Sequence, residues 1–421
     1  MEDKKVVSLI DRYLERHAFS NQLIDEKPSS KLGQIVIIPA FEEDSLIATL
    51  ESLYACEKPK CALEVIVVFN ASEHSETSSI TINQKARLEL EKWYSSLSQA
   101  WFKIHTIEQN NLPAKHAGVG LARKIGMDEA VRRFLQLGRD GLLICFDADS
   151  RCHQNYLTAI EQHFEIQVNT PACSIYFEHP TAGKDFDSEV YEGIVAYELH
   201  LRYYKQALAF VQLPYAFHTV GSSMAVKTSA YCKQGGMNKR KAGEDFYFLQ
   251  KFIKSGNFTE LNSSTVIPSP RPSHRVPFGT GRSIAEMQQN KRQLDESYAW
   301  ENVLLLKEVL QDVGKWYTGQ FQAHPLFEEF YGREKWLSSI EQIRANSTSL
   351  ESFRKRFFNW FDAFQCLKFM HFLRDTNATQ KPLIEEVPKL LRANGLMIKE
   401  KHESLYSLLM RLREIDQKGL I

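Results

Sequence analysis

The sequence lacks the features of membrane-spanning and disulfide-rich secreted proteins. No run approaches the roughly 20 apolar residues of a membrane-spanning helix, and the first residues alternate charged and apolar types, unlike the apolar core of a signal peptide. The seven cysteines are scattered and include no CxxC pair, which argues against a disulfide framework and a zinc site. We therefore expect a cytoplasmic protein with free thiols. Peripheral contact at the inner face of a membrane stays open.

Net charge, internal repeats and low-complexity segments are also absent. The 52 basic residues are balanced by 52 acidic residues, which gives no support for a broad nucleic-acid-binding surface. With 421 residues, the chain is long for one compact domain. This length predicts one large domain with an appended region.

Short apolar runs rich in β-branched residues dominate the first third of the chain. Three such runs span residues 34–41, 63–72 and 141–150, and a weaker one spans residues 101–108. Helical patterns lie between them at residues 44–54, 79–97 and 119–137. Nearly continuous apolar runs are typical of strands buried on both faces of a sheet. The alternation predicts an α/β domain with a mostly parallel, doubly wound sheet.

The pattern changes towards the C-terminal third. The middle section has an apolar run at 172–179, a long helical stretch at 188–211 and a helix opening within residues 242–256. Residues 269–281 are rich in Pro, Gly, His and Arg and predict a loop. From about Ile284 the pattern is helical. We predict three regions: an N-terminal helical segment (1–30), an α/β domain (31–282) and a helical C-terminal region (283–421).

Two carboxylates follow the apolar run at 141–146. Asp147 and Asp149 are two residues apart, so in an extended chain both side chains face the same side. Neighbouring carboxylates repel each other, and a bound Mg²⁺ or Mn²⁺ would remove that repulsion and bridge to diphosphate oxygens. The alternative is a solvated turn with a helix N-cap at Asp149 or Ser150.

A second acidic pair, Glu244 and Asp245, opens the helical pattern after Gly243. Acidic residues are common in the first turn of a helix because they interact favourably with the helix dipole. A carboxylate at a helix start can also be aimed at a hydroxyl group to remove its proton. The pair alone does not decide between these two interpretations.

Cationic residues with nearby glycines form two further candidate elements. Lys115 and Arg123 lie in the glycine-containing segment 115–126, where a helix start could approach a phosphate or the glycines could serve a tight turn. The loop at 269–281 and the residue after it carry Arg271, His274, Arg275 and Arg282. These cations suit closure over a diphosphate, with His274 as a further metal ligand, although a basic surface loop has the same composition.

An aromatic stripe lies in the C-terminal region. Phe353, Phe357, Trp360 and Phe364 recur at helical spacing. Such a stripe usually packs in a core. Docking on a membrane surface and dimerisation are the alternatives.

Four segments in this order resemble the family 2 glycosyltransferases with a GT-A fold. IPAFEED (38–44) resembles the motif at the end of that family's first strand, DADS (147–150) its DxD motif, and GED (243–245) its later Glu-Asp motif. Segment 115–126 lies between the first two of these motifs and is similar to a glycine-containing stretch of the family. The resemblance covers residues 34–282 and implies a Rossmann-like GT-A domain that transfers sugar from a nucleotide-sugar donor.

The resemblance also implies roles for individual residues. Asp245 would be the catalytic base of an inverting transfer, with Glu244 shaping the acceptor site. Asp149, with Asp147 and His274, would bind Mn²⁺ or Mg²⁺. The donor nucleotide would be contacted by Pro39, Ala40, Phe41, Glu43, Asn70, Lys115, Arg123 and Asp147. Arg271, Arg275 and Arg282 would contact the diphosphate, and Gly221, Ser222 and Ser223 would lie near the donor sugar or acceptor.

Some positions depart from the family pattern. Asn70 stands where aspartates are common, and Glu42 where Asn is common. Arg292 is followed by Gln293 instead of the Trp of the processive synthases. The resemblance therefore implies hexosyltransferase-like addition of a single sugar from a UDP- or GDP-sugar to a glycan, lipid-linked or small-molecule acceptor.

Two other functions compete with this interpretation. A sugar-1-phosphate nucleotidyltransferase would share the nucleotide site and the metal, but it would carry a glycine-rich basic loop where this chain has residues 41–44. A non-catalytic nucleotide- or glycan-binding protein on the same fold is the second alternative, because a fold alone does not establish chemistry.

Overall fold

The computed structural model describes residues 2–322, 324–396 and 403–419. The chain divides into two compact units. The first contains the chain up to Tyr191 together with Thr219–Ala285, and the second contains Glu192–His218 and the chain from Glu286 onwards. The first unit thus ends within three residues of the predicted boundary at residue 282. Residues 192–218 group with the helical region, whereas the sequence placed them in the α/β domain.

Eight strands of the first unit form one sheet in the order β3-β2-β1-β4-β7-β6-β8-β5. The strands are β1 (Leu32–Ala40), β2 (Ala62–Ser72), β3 (Lys103–Leu112), β4 (Leu142–Cys145), β5 (Arg151–Cys152), β6 (Ala172–Phe177), β7 (Met224–Lys227) and β8 (Thr259–Ile267). Strands β3, β2, β1 and β4 are mutually parallel. Strand β7 runs antiparallel to both β4 and β6, so the second half of the sheet is mixed.

Helices flank the sheet in the first unit, and helices make up most of the second unit. They are α1 (Glu2–His17), α2 (Leu46–Tyr54), α3 (Thr77–Ser96), α4 (Val119–Leu137), α5 (Tyr156–Ile166), α6 (Ser188–Phe210), α7 (Thr228–Lys233), α8 (Glu244–Ser255), α9 (Thr280–Gln288), α10 (Trp300–Gln311), α11 (Val313–Tyr317), α12 (Pro325–Tyr331), α13 (Arg333–Ala345), α14 (Leu350–Trp360), α15 (Ala363–Thr376), α16 (Leu383–Ala393) and α17 (Leu405–Lys418). The predicted α/β class with a helical C-terminal region is confirmed.

The apolar runs form the buried centre of the sheet. Residues 35–38 of β1 and 65–68 of β2 are fully buried, as expected for strands covered on both faces. Strand β8 was not predicted, because its polar residues interrupt the apolar pattern. It is stabilised by parallel pairing with β6, which a local pattern does not reveal.

Helix α4 lies on the sheet and is buried on almost every side. Its charged residues are therefore paired internally. The Asp128 carboxylate accepts hydrogen bonds from the hydroxyl groups of Tyr13 (2.6 Å) and Tyr231 (2.8 Å), and Lys124 Nζ lies 2.9 Å from it. Arg133 pairs with Glu64 of β2. These bonds attach α1 and α7 to α4 and fix the position of α4 over the sheet.

We expect Asp128→Asn to lower the free energy of unfolding by about 3 kcal/mol, because Lys124 would stay buried without its counter-ion. Urea denaturation followed by circular dichroism would measure this loss. The exposed Asp11 on α1 provides a matched control, and Asp11→Asn should change stability by less than about 0.5 kcal/mol. Equal stability of the two variants would contradict the assigned role of Asp128.

The second unit has an aromatic core. Phe353, Phe357, Phe361 and Phe369 are fully buried, and Trp316 contacts both Trp336 and Phe357. The predicted core packing of the aromatic stripe is confirmed for Phe353 and Phe357, whereas Trp360 and Phe364 are half-buried. The region also contains a short antiparallel pair, β9 (Glu296–Ser297) with β10 (Lys381–Pro382), which the sequence did not predict. None of the helices in the described part of the chain is long and apolar enough to cross a bilayer.

Candidate active site

The carboxyl ends of β1, β2 and β4 meet at one edge of the sheet because these strands are parallel neighbours. The segments that leave this edge carry Glu43, Asn70, Asp147 and Asp149. The sequence predicted this gathering of polar side chains. The parallel register of the strands brings them together.

A chain of amide groups holds the segment after β1. Asn70 Nδ2 donates to the carbonyl oxygen of Ala40 (2.9 Å), and Asn83 Nδ2 donates to the carbonyl oxygen of Asn70 (3.0 Å). Asn83 Oδ1 accepts from the backbone N–H of Glu42 (3.0 Å), whose φ is +49°. Residues other than glycine rarely adopt a positive φ, so these hydrogen bonds hold the turn in an uncommon backbone conformation. Asn70 therefore helps to hold the loop that follows β1.

Asn83 is a site residue that the sequence analysis missed. It lies on the buried face of α3 together with Ser79, Ala86 and Leu90. A polar amide at helical spacing with apolar residues predicts a buried hydrogen-bonding group. That pattern could have identified Asn83 but not its partners on β2 and the first loop.

Glu43 and Asp149 are joined by the two arginines of the predicted loop. Arg271 Nη2 lies 2.6 Å from Glu43 Oε2 and 3.2 Å from Asp149 Oδ2. Arg275 Nη1 lies 3.1 Å from Glu43 Oε2 and also donates to the carbonyl oxygen of Phe41 (2.6 Å). The loop at 269–275 is therefore anchored on the segment after β1. The sequence predicted both arginines at the site, and their carboxylate partners come from the tertiary structure.

The acidic side chains at this edge repel one another. The pKa of Asp149 is raised from 3.8 to about 6 by burial and, to a lesser extent, by the carboxylates of Glu43 and Asp147, whereas Arg271 and Arg275 oppose the shift. A cation close to such a carboxyl stabilises its ionised form. The two arginines supply that charge in this structure.

The oxygen chemistry of Asp147 and Asp149 suits Mg²⁺ or Mn²⁺, which take carboxylate, phosphate and water oxygens. Within residues 2–322, 324–396 and 403–419, no group of three His, Cys, Asp or Glu side chains is arranged to hold a metal ion. The His274 ring lies 3.4 Å from Arg282. In this arrangement a cation at Asp149 would take diphosphate oxygens and water as ligands, and its binding by Asp147 and His274 as well remains a prediction.

Arg123 of α4 joins the two acidic motifs. One guanidinium nitrogen binds Asp147 after β4, and the other binds Glu244 at the start of α8. Arg123 is 2 % exposed, and a Cβ atom on Gly221 would lie only 2.5 Å from its guanidinium. Gly221 therefore has a packing role beside Arg123. The sequence predicted that Arg123 contacts the donor nucleotide; the structure shows it buried and paired with two carboxylates, and its contact with a nucleotide remains a prediction.

The start of α8 is held close to the start of α4. A Cβ atom on Gly120 would lie 2.3 Å from the carbonyl oxygen of Arg240 and 2.9 Å from Glu244 Cβ. Gly243 precedes Glu244 with φ +65°, which a residue with a side chain adopts at a cost. These glycines let backbone and Glu244 approach α4. Gly120 is therefore required sterically, because a side chain there would collide with the backbone at Arg240.

The Arg123 guanidinium interacts electrostatically with three carboxylates, those of Asp147, Glu244 and Asp245. Burial raises the pKa of Glu244 to about 8, with Arg123 opposing and Asp245 reinforcing the shift. Burial likewise raises the pKa of Asp245, which Arg123 and the backbone N–H of Phe246 (2.7 Å) lower. Because positive charge is insufficient for all three, Glu244 keeps a proton at neutral pH. A carboxylate with a raised pKa is a stronger base for a hydroxyl proton.

An open cleft of about 480 Å³ lies beside the first loop. It is lined by Phe41, Glu42 and residues 271–275, which include both arginines and His274. An aromatic ring and two guanidinium groups on one cleft suit a planar base with an attached diphosphate.

The remaining predicted site residues have varied positions. Pro39 and Ala40 are the last residues of β1, and Lys115 is exposed before α4. Ser222 and Ser223 are buried before β7, with their hydroxyl oxygens 3.4 Å apart. Their predicted contacts with donor or acceptor remain predictions.

Comparison with solved structures finds glycosyltransferases. The chain is similar to residues 1–349 of S. aureus TarS in complex with UDP-GlcNAc, with 14 % identity, a TM-score of 0.37, and coverage of 92 % of this chain and 89 % of TarS 1–349. It is also similar to the mannosyltransferase PcManGT from Pyrobaculum calidifontis in complex with GDP-Man and Mn²⁺, with 13 % identity, a TM-score of 0.37, and coverage of 99 % and 96 %. No protein-family model and no curated protein matches.

Proposed function

We propose that this protein transfers a single sugar from a nucleoside-diphosphate sugar to a hydroxyl acceptor. One observation carries the proposal: Arg123 joins the Asp147-Asp149 segment to the Glu244-Asp245 pair at the same sheet edge. The half-buried Asp245, a candidate base, thus lies in the same cluster as carboxylates suited to a metal–diphosphate group. Transfer to a hydroxyl needs both a proton acceptor and stabilisation of a diphosphate leaving group.

The donor would bind in the cleft beside Phe41. Its base and ribose would lie against Pro39, Ala40, Phe41 and Asn70, with Asp147 and Glu43 near the ribose. Arg271 and Arg275 would transfer their hydrogen bonds from Glu43 and Asp149 to the diphosphate oxygens, since guanidinium groups bind phosphate in a bidentate manner. Lys115 and Arg282 are further candidates for diphosphate contact. UDP and GDP are the donor nucleotides that we expect first.

In the reaction, Asp245 would accept the proton of the acceptor hydroxyl as its oxygen attacks the anomeric carbon. The bond between that carbon and the diphosphate oxygen breaks at the same time, which inverts the anomeric configuration. Glu244, held protonated beside Arg123, would donate a hydrogen bond to the acceptor. Gly221, Ser222 and Ser223 would line the sugar side. A divalent cation held by Asp149, with Asp147 and His274 as the other predicted ligands, would supply Lewis-acid stabilisation of the leaving diphosphate.

A thermal-shift screen of UDP, GDP, CDP and dTDP, with and without Mn²⁺, tests the donor site. We expect one nucleotide to raise the melting temperature by about 2–5 °C in the presence of metal, because a ligand that binds the native state stabilises it. Asp149→Ala should remove this shift, and the exposed Asp25→Ala should retain it. If no nucleotide shifts the melting temperature at millimolar concentration, the proposed donor site is refuted.

The raised pKa of Asp149 predicts a pH dependence of stability. Its pKa is about 6 in the folded protein and 3.8 ordinarily, so the folded state binds more protons between these values. Stability contributed by this proton is present at low pH and is lost as the pH rises through 6. We therefore expect Asp149→Asn to be up to about 3 kcal/mol more stable than wild type at pH 7.5, with little difference at pH 4.

Urea denaturation of both proteins at the two pH values would measure this effect. Asp25→Asn serves as the control and should show no such change between the two pH values. Metal-supported nucleotide binding should also weaken below pH 6, because protons compete with the metal for Asp149. A variant that is less stable than wild type at pH 7.5 would contradict the assigned repulsion.

A further inference from the structure

Two cysteines lie close together behind the acidic edge. Cys56 follows the C-terminal end of α2, and Cys152 lies in β5, three residues after Asp149. Their Sγ atoms are 3.6 Å apart although the residues are separated by 96 positions. All seven cysteines are free thiols, and none of the other five has a cysteine sulfur within hydrogen-bonding distance in the described part of the chain.

The surroundings distinguish the two thiols. The hydrogen bond from Cys152 lowers the pKa of Cys56, and burial raises the pKa of Cys152. Cys56 therefore carries the thiolate more readily, and the thiolate is the nucleophile of thiol chemistry. The Cys152 sulfur lies 3.6 Å from that of Cys56 and is close enough to complete a bond.

Helix α2 is already attached to the segment that contains Asp149. Thr49 Oγ1 donates to the carbonyl oxygen of Ala148 (2.8 Å), and the Cys152 backbone N–H donates to Ser52 Oγ (2.9 Å). Thr49, Ser52 and Cys56 are spaced by about one helical turn. One face of α2, together with the turn after it, therefore lies alongside residues 148–152. A bond between Cys56 and Cys152 would fix covalently an arrangement that hydrogen bonds already hold.

We propose that Cys56 and Cys152 are an oxidation site that closes a reversible disulfide and clamps α2 to the segment carrying Asp149. The oxidant is a peroxide. The Cys56 thiolate attacks one peroxide oxygen, the O–O bond breaks, and Cys56 becomes a sulfenic acid as hydroxide leaves. The Cys152 thiolate then attacks the Cys56 sulfur and displaces the second hydroxide. The two hydroxides take up the two thiol protons, so two thiols and one hydrogen peroxide yield a disulfide and two waters.

The clamp should stabilise the protein with little change at the nucleotide site. The sulfur atoms need to approach by about 1.5 Å to reach bonding distance, which side-chain rotation can largely supply. A disulfide across a loop of this length restricts the unfolded chain strongly. We expect peroxide to raise the melting temperature by about 5 °C, and nucleotide affinity to stay within about threefold.

Peptide mapping of the full-length protein tests this proposal. Reduced wild type is treated with a few equivalents of hydrogen peroxide, blocked with iodoacetamide, digested without reductant and analysed by mass spectrometry. The proposal requires a linked pair of peptides containing Cys56 and Cys152 that dithiothreitol separates. No linked pair, Cys152 oxidised alone to a sulfinic acid, or a link to another cysteine would overturn it.

Matched variants separate the clamp from general oxidation. Cys56→Ser and Cys152→Ser should each lose the peroxide-induced rise in melting temperature, whereas Cys61→Ser, at a half-buried cysteine without a thiol partner, should keep it. A rise that persists in both pair variants would refute the clamp. The mapping needs no nucleotide, so its outcome is independent of the proposed transferase function.

Discussion

Replacing Asp245 by Asn is expected to reduce glycosyl transfer by about 10²–10⁴-fold while nucleotide binding stays close to that of wild type. Asn has nearly the same shape and can still accept the hydrogen bond from the backbone N–H of Phe246. It cannot accept a proton from the acceptor hydroxyl. The loss should therefore appear in kcat, with the thermal shift by nucleotide unchanged. Transfer would be measured as nucleoside diphosphate released in the presence of acceptor.

Glu244→Gln is the informative control for this experiment. Because burial keeps the pKa of Glu244 near 8, its side chain is mostly protonated at pH 7 and Gln is a close neutral substitute. We expect less than about a tenfold loss of activity. If Glu244→Gln is as damaging as Asp245→Asn, the assignment of the base to Asp245 is wrong. If neither variant loses activity, the acidic pair is structural.

Replacing Arg123 by Met is expected to lower the free energy of unfolding by about 3–5 kcal/mol at neutral pH. Asp147 and Glu244 would lose their shared guanidinium, and Glu244 would remain buried. Carboxylates without a counter-ion take up protons, so the folded variant binds more protons than its unfolded chain. Its stability should therefore fall as the pH rises, and the defect should shrink below about pH 5.

Urea denaturation between pH 4.5 and 8 would test this prediction. Arg16→Met, at an exposed position of α1, is the control and should cost less than about 0.5 kcal/mol. Adding Asp147→Asn to Arg123→Met should recover part of the loss, because it removes the charge of a carboxylate that has lost its partner Arg123. A loss below about 1 kcal/mol in the single variant would show that the ion pairs with Arg123 contribute little to stability.

Asp149 and Arg123 have opposite electrostatic roles at this sheet edge. Asp149 is held among carboxylates that raise its pKa, so its removal should stabilise the protein and abolish metal-supported binding. Arg123 relieves the same kind of repulsion, so its removal should destabilise the protein. Opposite effects of two substitutions at one sheet edge would show that repulsion among the acidic groups is retained for binding a ligand.

The sequence by itself determined the strands at the centre of the sheet and the positions of the acidic motifs. Strands buried on both faces need continuous apolar runs, so β1, β2 and β4 were predictable from local composition. The two-residue spacing of Asp147 and Asp149 and the glycine before Glu244 are likewise local features. Their gathering at one edge followed from the parallel order of the strands.

Only the tertiary structure decided the partners of these groups. Arg123 binds Asp147 and Glu244, which are 24 and 121 positions away, and Arg271 binds Glu43 across 228 positions. Asn83 and the Cys56–Cys152 pair depend on the placement of α3 and α2. Such pairings are set by strand order and by helix packing on the sheet, and these long-range contacts leave no periodic pattern in the chain. Local patterns therefore predicted the candidate functional residues, and tertiary packing decided which of them form ion pairs with one another.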